Sequence, residues 1–197
     1  MFDEYLKRRA TAYGEQFRPF DTATDYLLYV DGKPRFDGVR DFLKSRSISL
    51  PQGDPDDSPE ADTVCGLGNR KNDLVNKIIE ESGVEPYEGS VRLIRQLHDH
   101  GFKIAVVTSS QNCSTVLKAA NLDGFFPVRV DGNMIRSQGL AGKPAPDTFL
   151  MAARLLEVEP SRAVVIEDAI SGVQAGRNGN FGLVVGVARK DLGELVE

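Results

Sequence analysis

The sequence predicts an α/β protein in which a unit of helices precedes a parallel sheet flanked by helices. Two patterns carry this reading. After residue 83, short apolar and β-branched runs alternate with amphipathic stretches, the signature of strand–helix–strand units. Before residue 84, apolar positions recur at helical spacing.

The helical part begins with residues 2–17, where Phe2, Tyr5, Leu6 and Tyr13 suit one face. Residues 23–29 and 38–43 give shorter helical patterns. Residues 50–62 are rich in Pro, Asp and Ser and predict an exposed loop. Its Asp54, Asp56 and Asp57 miss the calcium-loop spacing, so they read as a solvated acidic turn. Residues 69–81 place Leu74, Val75, Ile78 and Ile79 on one face and stop before Gly83, an amphipathic helix with a glycine end.

The second part reads as a helix over 91–100 closed by Gly101, a buried strand over 103–108 and a helix over 112–120. An apolar, β-branched run over 125–130 follows, with a turn at Asp131-Gly132. Pro144 and Pro146 precede a helix over 147–156. A strand over 163–166, a helix over 170–176 and a strand over 182–187 complete the pattern. Alternation of this kind implies a parallel sheet covered on both faces. The division is residues 1–83, helical, and 84–197, α/β. Ligands of open parallel sheets bind at the carboxyl ends of the strands, which directs attention there.

Composition narrows the functional classes. The 197 residues are 41% hydrophobic and 27% charged, enough for a packed core. A net charge of −5 and a pI near 5.2 do not favour nucleic-acid binding, which needs a basic surface. The apolar runs are strand-length, far short of the roughly 20 residues of a membrane span. No basic-then-apolar leader follows Met1, and two cysteines, Cys65 and Cys113, make no disulfide framework. Reduced thiols in a cytoplasmic, monomeric protein are expected. His98 and His100 are two apart on a helix and share no face, so they are assigned no metal.

Three strand ends carry chemistry. The strand over 103–108 runs into Thr108-Ser109-Ser110, with Asn112 just beyond. Hydroxyls followed by a helix start suit an anion, although ordinary capping also uses them. Gly142-Lys143-Pro144-Ala145-Pro146-Asp147 holds a lysine on a stiff loop, where it would offset phosphate charge. The strand over 163–166 ends in Glu167-Asp168, a hard-oxygen pair suited to Mg²⁺. An anion cradle, a cation and a metal site together are the parts of phosphoryl transfer.

In that order, VVTSSQN, GKPAPDTF and VVIEDAISGVQAG resemble the second, third and fourth motifs of the haloacid dehalogenase superfamily. Gly32-Lys33-Pro34-Arg35-Phe36-Asp37 and Asn69-Arg70-Lys71-Asn72-Asp73 resemble cap signatures of its β-phosphoglucomutase-like branch. The resemblance spans nearly the whole chain. It implies a Rossmann-like core under an α-helical cap, Mg²⁺ dependence and an aspartyl-phosphate intermediate. It implies catalytic roles for Thr108 and Lys143 and a metal role for Asp168, helped by Glu167. Ser109 would hold the transferring phosphoryl group through its amide. Ser110 and Asn112 would meet a distal phosphate, and Arg35 and Lys71 would reach a small phosphorylated sugar from the cap. Asp31, Gly38 and Gln111 depart from the mutase pattern, which keeps a small-metabolite phosphatase as an alternative.

The family's first motif, Asp-x-Asp-Gly on a central strand, has no counterpart. Asp31-Gly32, Asp37-Gly38 and Asp131-Gly132 have Tyr29, Arg35 and Arg129 where the first Asp belongs. The core is therefore expected to be incomplete at its N-terminal strand, and residues 191–197 to stop short of a final strand. The expectation is a chain that starts late, with a split protein or a non-catalytic sugar-phosphate binder as alternatives. A central strand is costly to lose because its neighbours' backbone groups lose their partners. Alone, the 197 residues are expected to be inactive.

Overall fold

A computed structural model describes residues 1–188. The chain divides into two compact units. One comprises Met1–Asp31 and Arg35–Lys77. The other comprises Gly32–Pro34 and the chain from Ile78 onward.

The first unit is helical. Helix α1 (Phe2–Tyr13) ends where Gly14 turns left-handed at φ 65°, earlier than the predicted residue 17. A π-helical turn (Tyr26–Val30), helix α2 (Arg35–Ser45) and most of helix α3 (Val64–Ser82) follow. Phe2, Tyr5 and Leu6 of α1 bury themselves with Val39, Phe42 and Leu43 of α2 and with Val64 and Leu67 of α3. Phe2 and Phe42 meet with ring centroids 4.4 Å apart, and Phe20 closes a three-ring cluster. Beside it, Arg46 and Asp25 form a buried ion pair. Helix α3 starts at Val64, five residues before the predicted 69. Gly66 and Gly68 look like breakers in the sequence, yet both are buried within its first turns.

The second unit holds two parallel ladders. Strand β1 (Ala105–Val107) pairs with β2 (Val128–Val130), Ala105 opposite Val128. Strand β3 (Val164–Glu167) pairs with β4 (Leu183–Gly186), Val164 opposite Leu183. Among the described residues no strand hydrogen-bonds to the second edge of β1 or of β3. Helices α4 (Glu88–Asp99) and α5 (Cys113–Ala119) contribute to a core of Cys113, Leu117, Leu122 and Phe126, packed by Val91 and Ile94. Helices α7 (Asp147–Leu155) and α8 (Ile170–Asn178) supply Phe149 and Ala175 to a second core around Val165, which Val107 of β1 also joins.

Two expectations are corrected. Asp131-Gly132 is not a bare turn but the start of helix α6 (Gly132–Gln138), because Asp131 Oδ1 accepts the N–H groups of Asn133 and Met134. The ladder β3–β4 is not covered on both faces. Val165 is buried on one side. Val164, Ile166, Leu183 and Val185 share the other and are exposed. The expectation for residues 191–197 falls outside the described residues.

Candidate active site

The loop after β1 is built by its own hydroxyls. Thr108 N donates to Val130 O at 2.9 Å, carrying the ladder one residue past β1. Thr108 Oγ1 accepts from Ser110 N, and Ser110 Oγ accepts from Asn112 N, each at 3.1 Å. The start of α6 braces this loop. Gly132 N donates to Ser110 O at 2.9 Å, and Asn133 Nδ2 to Gln111 O at 3.1 Å. Thr108, Ser109, Ser110 and Asn112 thus occupy one short, fixed segment leading into α5.

Lys143 and Glu167 meet directly. Nζ lies 2.6 Å from Oε2, and the side chains are only 4% and 9% exposed. The ammonium also sits 5.0 Å from the Phe149 ring centroid, a cation–π contact. Glu167 Oε1 accepts from Ala169 N at 3.2 Å, and Glu167 O accepts from Val187 N at 2.8 Å. The carboxylate is thus held from both oxygens at the end of β3. Gly172 in α8 faces it so closely that a Cβ there would stand 2.3 Å from the Glu167 carboxyl carbon. Asp168, the next residue, is exposed. Among the described residues no three His, Cys, Asp or Glu side chains gather as a metal cluster.

A strap of three residues, Gly32–Pro34, joins these loops. Ser109 Oγ donates to Gly32 O at 2.8 Å. Gly32 has φ 69°, and a Cβ on it would fall 2.5 Å from Ser171 Oγ and 2.8 Å from Ala169 Cβ. Pro34 packs on Gly142, where a Cβ would lie 2.4 Å from the proline ring. One strap therefore touches the hydroxyl loop, the lysine loop and the segment after the acidic pair.

Arg35 and Lys71 belong to the first unit. Arg35 donates from Nη1 to Asn69 Oδ1 at 3.1 Å and from Nη2 to Asn72 Oδ1 at 2.6 Å. Burial pushes the Lys71 ammonium below its usual pKa, and the Arg35 charge pushes it the same way against a weaker pull from Asp31. Asn69 and Asn72 were not singled out as site residues. Their signal was present, two amide side chains three apart on one helix face.

The chain matches the model of the haloacid dehalogenase-like hydrolases over residues 4–180. A β-phosphoglucomutase from Mycobacterium bovis is 54% identical over 189 residues, covering 96% of this chain and 72% of that protein. Among solved structures, the chain is similar to a β-phosphoglucomutase from Clostridium difficile, with TM-score 0.69 and 23% identity over 93% of this chain and 75% of that one. It is also similar to CbbY from Rhodobacter sphaeroides in complex with phosphate, with TM-score 0.66 and 23% identity over 97% and 84%. These likenesses and the order of motifs along the chain agree, and the chain belongs to the haloacid dehalogenase-like hydrolases, in their β-phosphoglucomutase-like branch.

Proposed function

We propose that this chain is the larger part of a Mg²⁺-dependent phosphoryl-transfer enzyme acting on small sugar phosphates, a β-glucose-1-phosphate mutase in first place. The observation that carries it is the buried Lys143–Glu167 pair, set in loops that one strap, Gly32–Pro34, ties to the Thr108–Ser109 segment. A transferring phosphoryl group spreads charge over its equatorial oxygens, so catalysis is chiefly positioning and electrostatics. Thr108 and the Ser109 amide would hold that group. Lys143 would offset its charge from a site shielded from water, where a cation acts more strongly. Ser110 and Asn112 would meet a second phosphate, and Arg35 and Lys71 the sugar phosphate's far end.

The donor set fits Mg²⁺, which takes one or two carboxylates and completes its shell with water and phosphate oxygens. Asp168 would bind it, with Glu167 beside, and the ion would polarise the phosphoryl oxygens. The attacking aspartate and its acid/base partner are proposed to come from a strand outside these 197 residues. The absence of an Asp-x-Asp-Gly motif supports this, as do the second edges of β1 and β3, which no described strand occupies.

The test compares the 197 residues with a version extended by its in-frame upstream coding sequence. Interconversion of glucose 1-phosphate and glucose 6-phosphate is followed beside phosphate release, with and without a sugar bisphosphate activator. Mutase turnover only in the extended version supports the reading. Phosphate release without interconversion selects the phosphatase. Sugar-phosphate binding without turnover in either selects a non-catalytic binder.

A further inference from the structure

We propose that Gly132 and Asn133, at the start of α6, are positioning residues for phosphoryl transfer, fixing the Thr108–Asn112 loop from the side of β2. The inference rests on the phosphoryl-transfer reading above and adds to it two residues that act through the loop. The contact begins as sheet and continues past it. Thr108 N donates to Val130 O at 2.9 Å, where the ladder ends. Gly132 N then donates to Ser110 O at 2.9 Å, and Asn133 Nδ2 to Gln111 O at 3.1 Å. Two successive carbonyls of the loop are thus tied to the first turn of α6. Asn133 Nδ2 also lies 3.4 Å from Asp131 Oδ2. Both neighbours of this nitrogen are acceptors, so one orientation of the side-chain amide satisfies them. Asp131 further accepts the backbone N–H groups of Asn133 and Met134, each at 3.0 Å. The side chain that grips the loop is itself gripped.

Gly132 is where the approach is closest. A Cβ there would stand 2.6 Å from Ser109 O and 2.9 Å from Gln111 N, both backbone atoms that no side-chain rotation can clear. Glycine lets the helix start lie against the loop at that distance. From another direction, Ser109 Oγ donates to Gly32 O at 2.8 Å. The loop is therefore held by α6 and by the Gly32–Pro34 strap, and its donors keep fixed places before a phosphate arrives. Such donors act through position. A site must hold its groups within about 0.5 Å of the productive geometry, and a misplacement of about 1 Å can cost roughly 10²-fold in rate. Neither Gly132 nor Asn133 carries a charge or a titratable group, so their effect runs through Ser109, Ser110 and Gln111.

Steady-state kinetics of the version extended by its upstream coding sequence test this, with glucose 1-phosphate and a small generic phosphate ester in Mg²⁺ buffer. Gly132→Ala should lower kcat about tenfold or more on both substrates, because the phosphate is common to them. Asn133→Ala should lower kcat about fivefold on both, the scale of one neutral hydrogen bond. Alanine favours a helix over asparagine, so this variant should keep its melting temperature. Asn133→Asp keeps the shape but faces Gln111 O with an acceptor, and should lose at least as much. Gly139→Ala is the control at the far end of the same helix. Its φ of 62° strains alanine and no atom lies within 4 Å of the added Cβ, so the melting temperature should fall while kcat holds. Where Gly132→Ala fails to fold, Asn133→Ala and Asn133→Asp carry the test. An unchanged kcat in both Asn133 variants, or an equal fall in Gly139→Ala, would overturn the inference and leave the phosphoryl-transfer reading standing. No turnover of either ester by the unsubstituted protein would overturn both.

Discussion

Lys143 Nζ and Glu167 Oε2 are 2.6 Å apart in a site that leaves their side chains 4% and 9% exposed. At this burial the two charges depend on each other. Removing one strands the other in a poorly solvated place, whereas removing both need not. Lys143→Met should therefore destabilise the fold by about 3–5 kcal/mol. The double variant Lys143→Met, Glu167→Gln should recover most of that in thermal unfolding. In the complete protein Lys143→Met should lower kcat on the order of 10²-fold or more, and the double variant should not recover it. Recovery of activity along with stability would assign Lys143 a structural role only.

Asp168 should behave in the opposite way. It is exposed, so Asp168→Asn should leave the melting temperature nearly unchanged. Mg²⁺-dependent turnover of the complete protein should be abolished. Unchanged Mg²⁺ affinity by titration would remove Asp168 from the metal site.

Arg35→Ala should harm turnover of sugar phosphates much more than hydrolysis of a small generic phosphate ester. Remote contacts help only a substrate long enough to reach them. Asn69 and Asn72 hold the guanidinium, so Asn72→Ala should give the same pattern, weaker. Equal losses on both substrates would place Arg35 outside the substrate site.

Gly172→Ala should weaken the end of β3. The added Cβ would stand 2.3 Å from the Glu167 carboxyl carbon, and Glu167 is tethered by Lys143 and by Ala169 N. Alanine favours the helix by about 0.8–1.0 kcal/mol over glycine, but overpacking costs about 1–3 kcal/mol. A net fall in melting temperature is expected. A rise would show that Glu167 yields freely.

Lys71 gives a pH test. Its pKa is lowered in the fold, so the folded state disfavours its charge. The penalty is fully present below the lowered folded value and vanishes as pH climbs past it toward the unfolded value, about 10.4. Lys71→Met should raise the melting temperature at pH 7, and the gain should shrink toward pH 10. Sugar-phosphate affinity should fall in the same variant. A gain that does not change with pH would trace to packing instead.

Much of this was legible in the sequence, and the exceptions have physical causes. The apolar face of α1 is legible because burial imposes period, and the strands β1 and β3 are legible as short apolar, β-branched runs. Helix α6 was missed because Asp131-Gly132 is a strong turn signal, and only the carboxylate's bonds to Asn133 and Met134 show a cap. The start of α3 was missed because buried glycines look like breakers when their neighbours are unknown. Motif resemblance nominates the candidate site residues but does not reveal which of them pair. The strand-end position of Glu167 suggests an oxygen donor for a metal, and nothing in the spacing reveals that Lys143 grips it across 24 residues.

The β3–β4 ribbon has a consequence beyond chemistry. Val164, Ile166, Leu183 and Val185 line one face in register, beside an edge of β3 that no described strand pairs. A sheet edge that no described strand pairs, beside β-branched side chains, is a template for another chain's strand. Natural sheets blunt such edges with lysine, proline or bulges, and Val164-Val165-Ile166 has none of these. The colloidal behaviour of this polypeptide should therefore be governed by a few exposed aliphatic residues far more than by its net charge of −5.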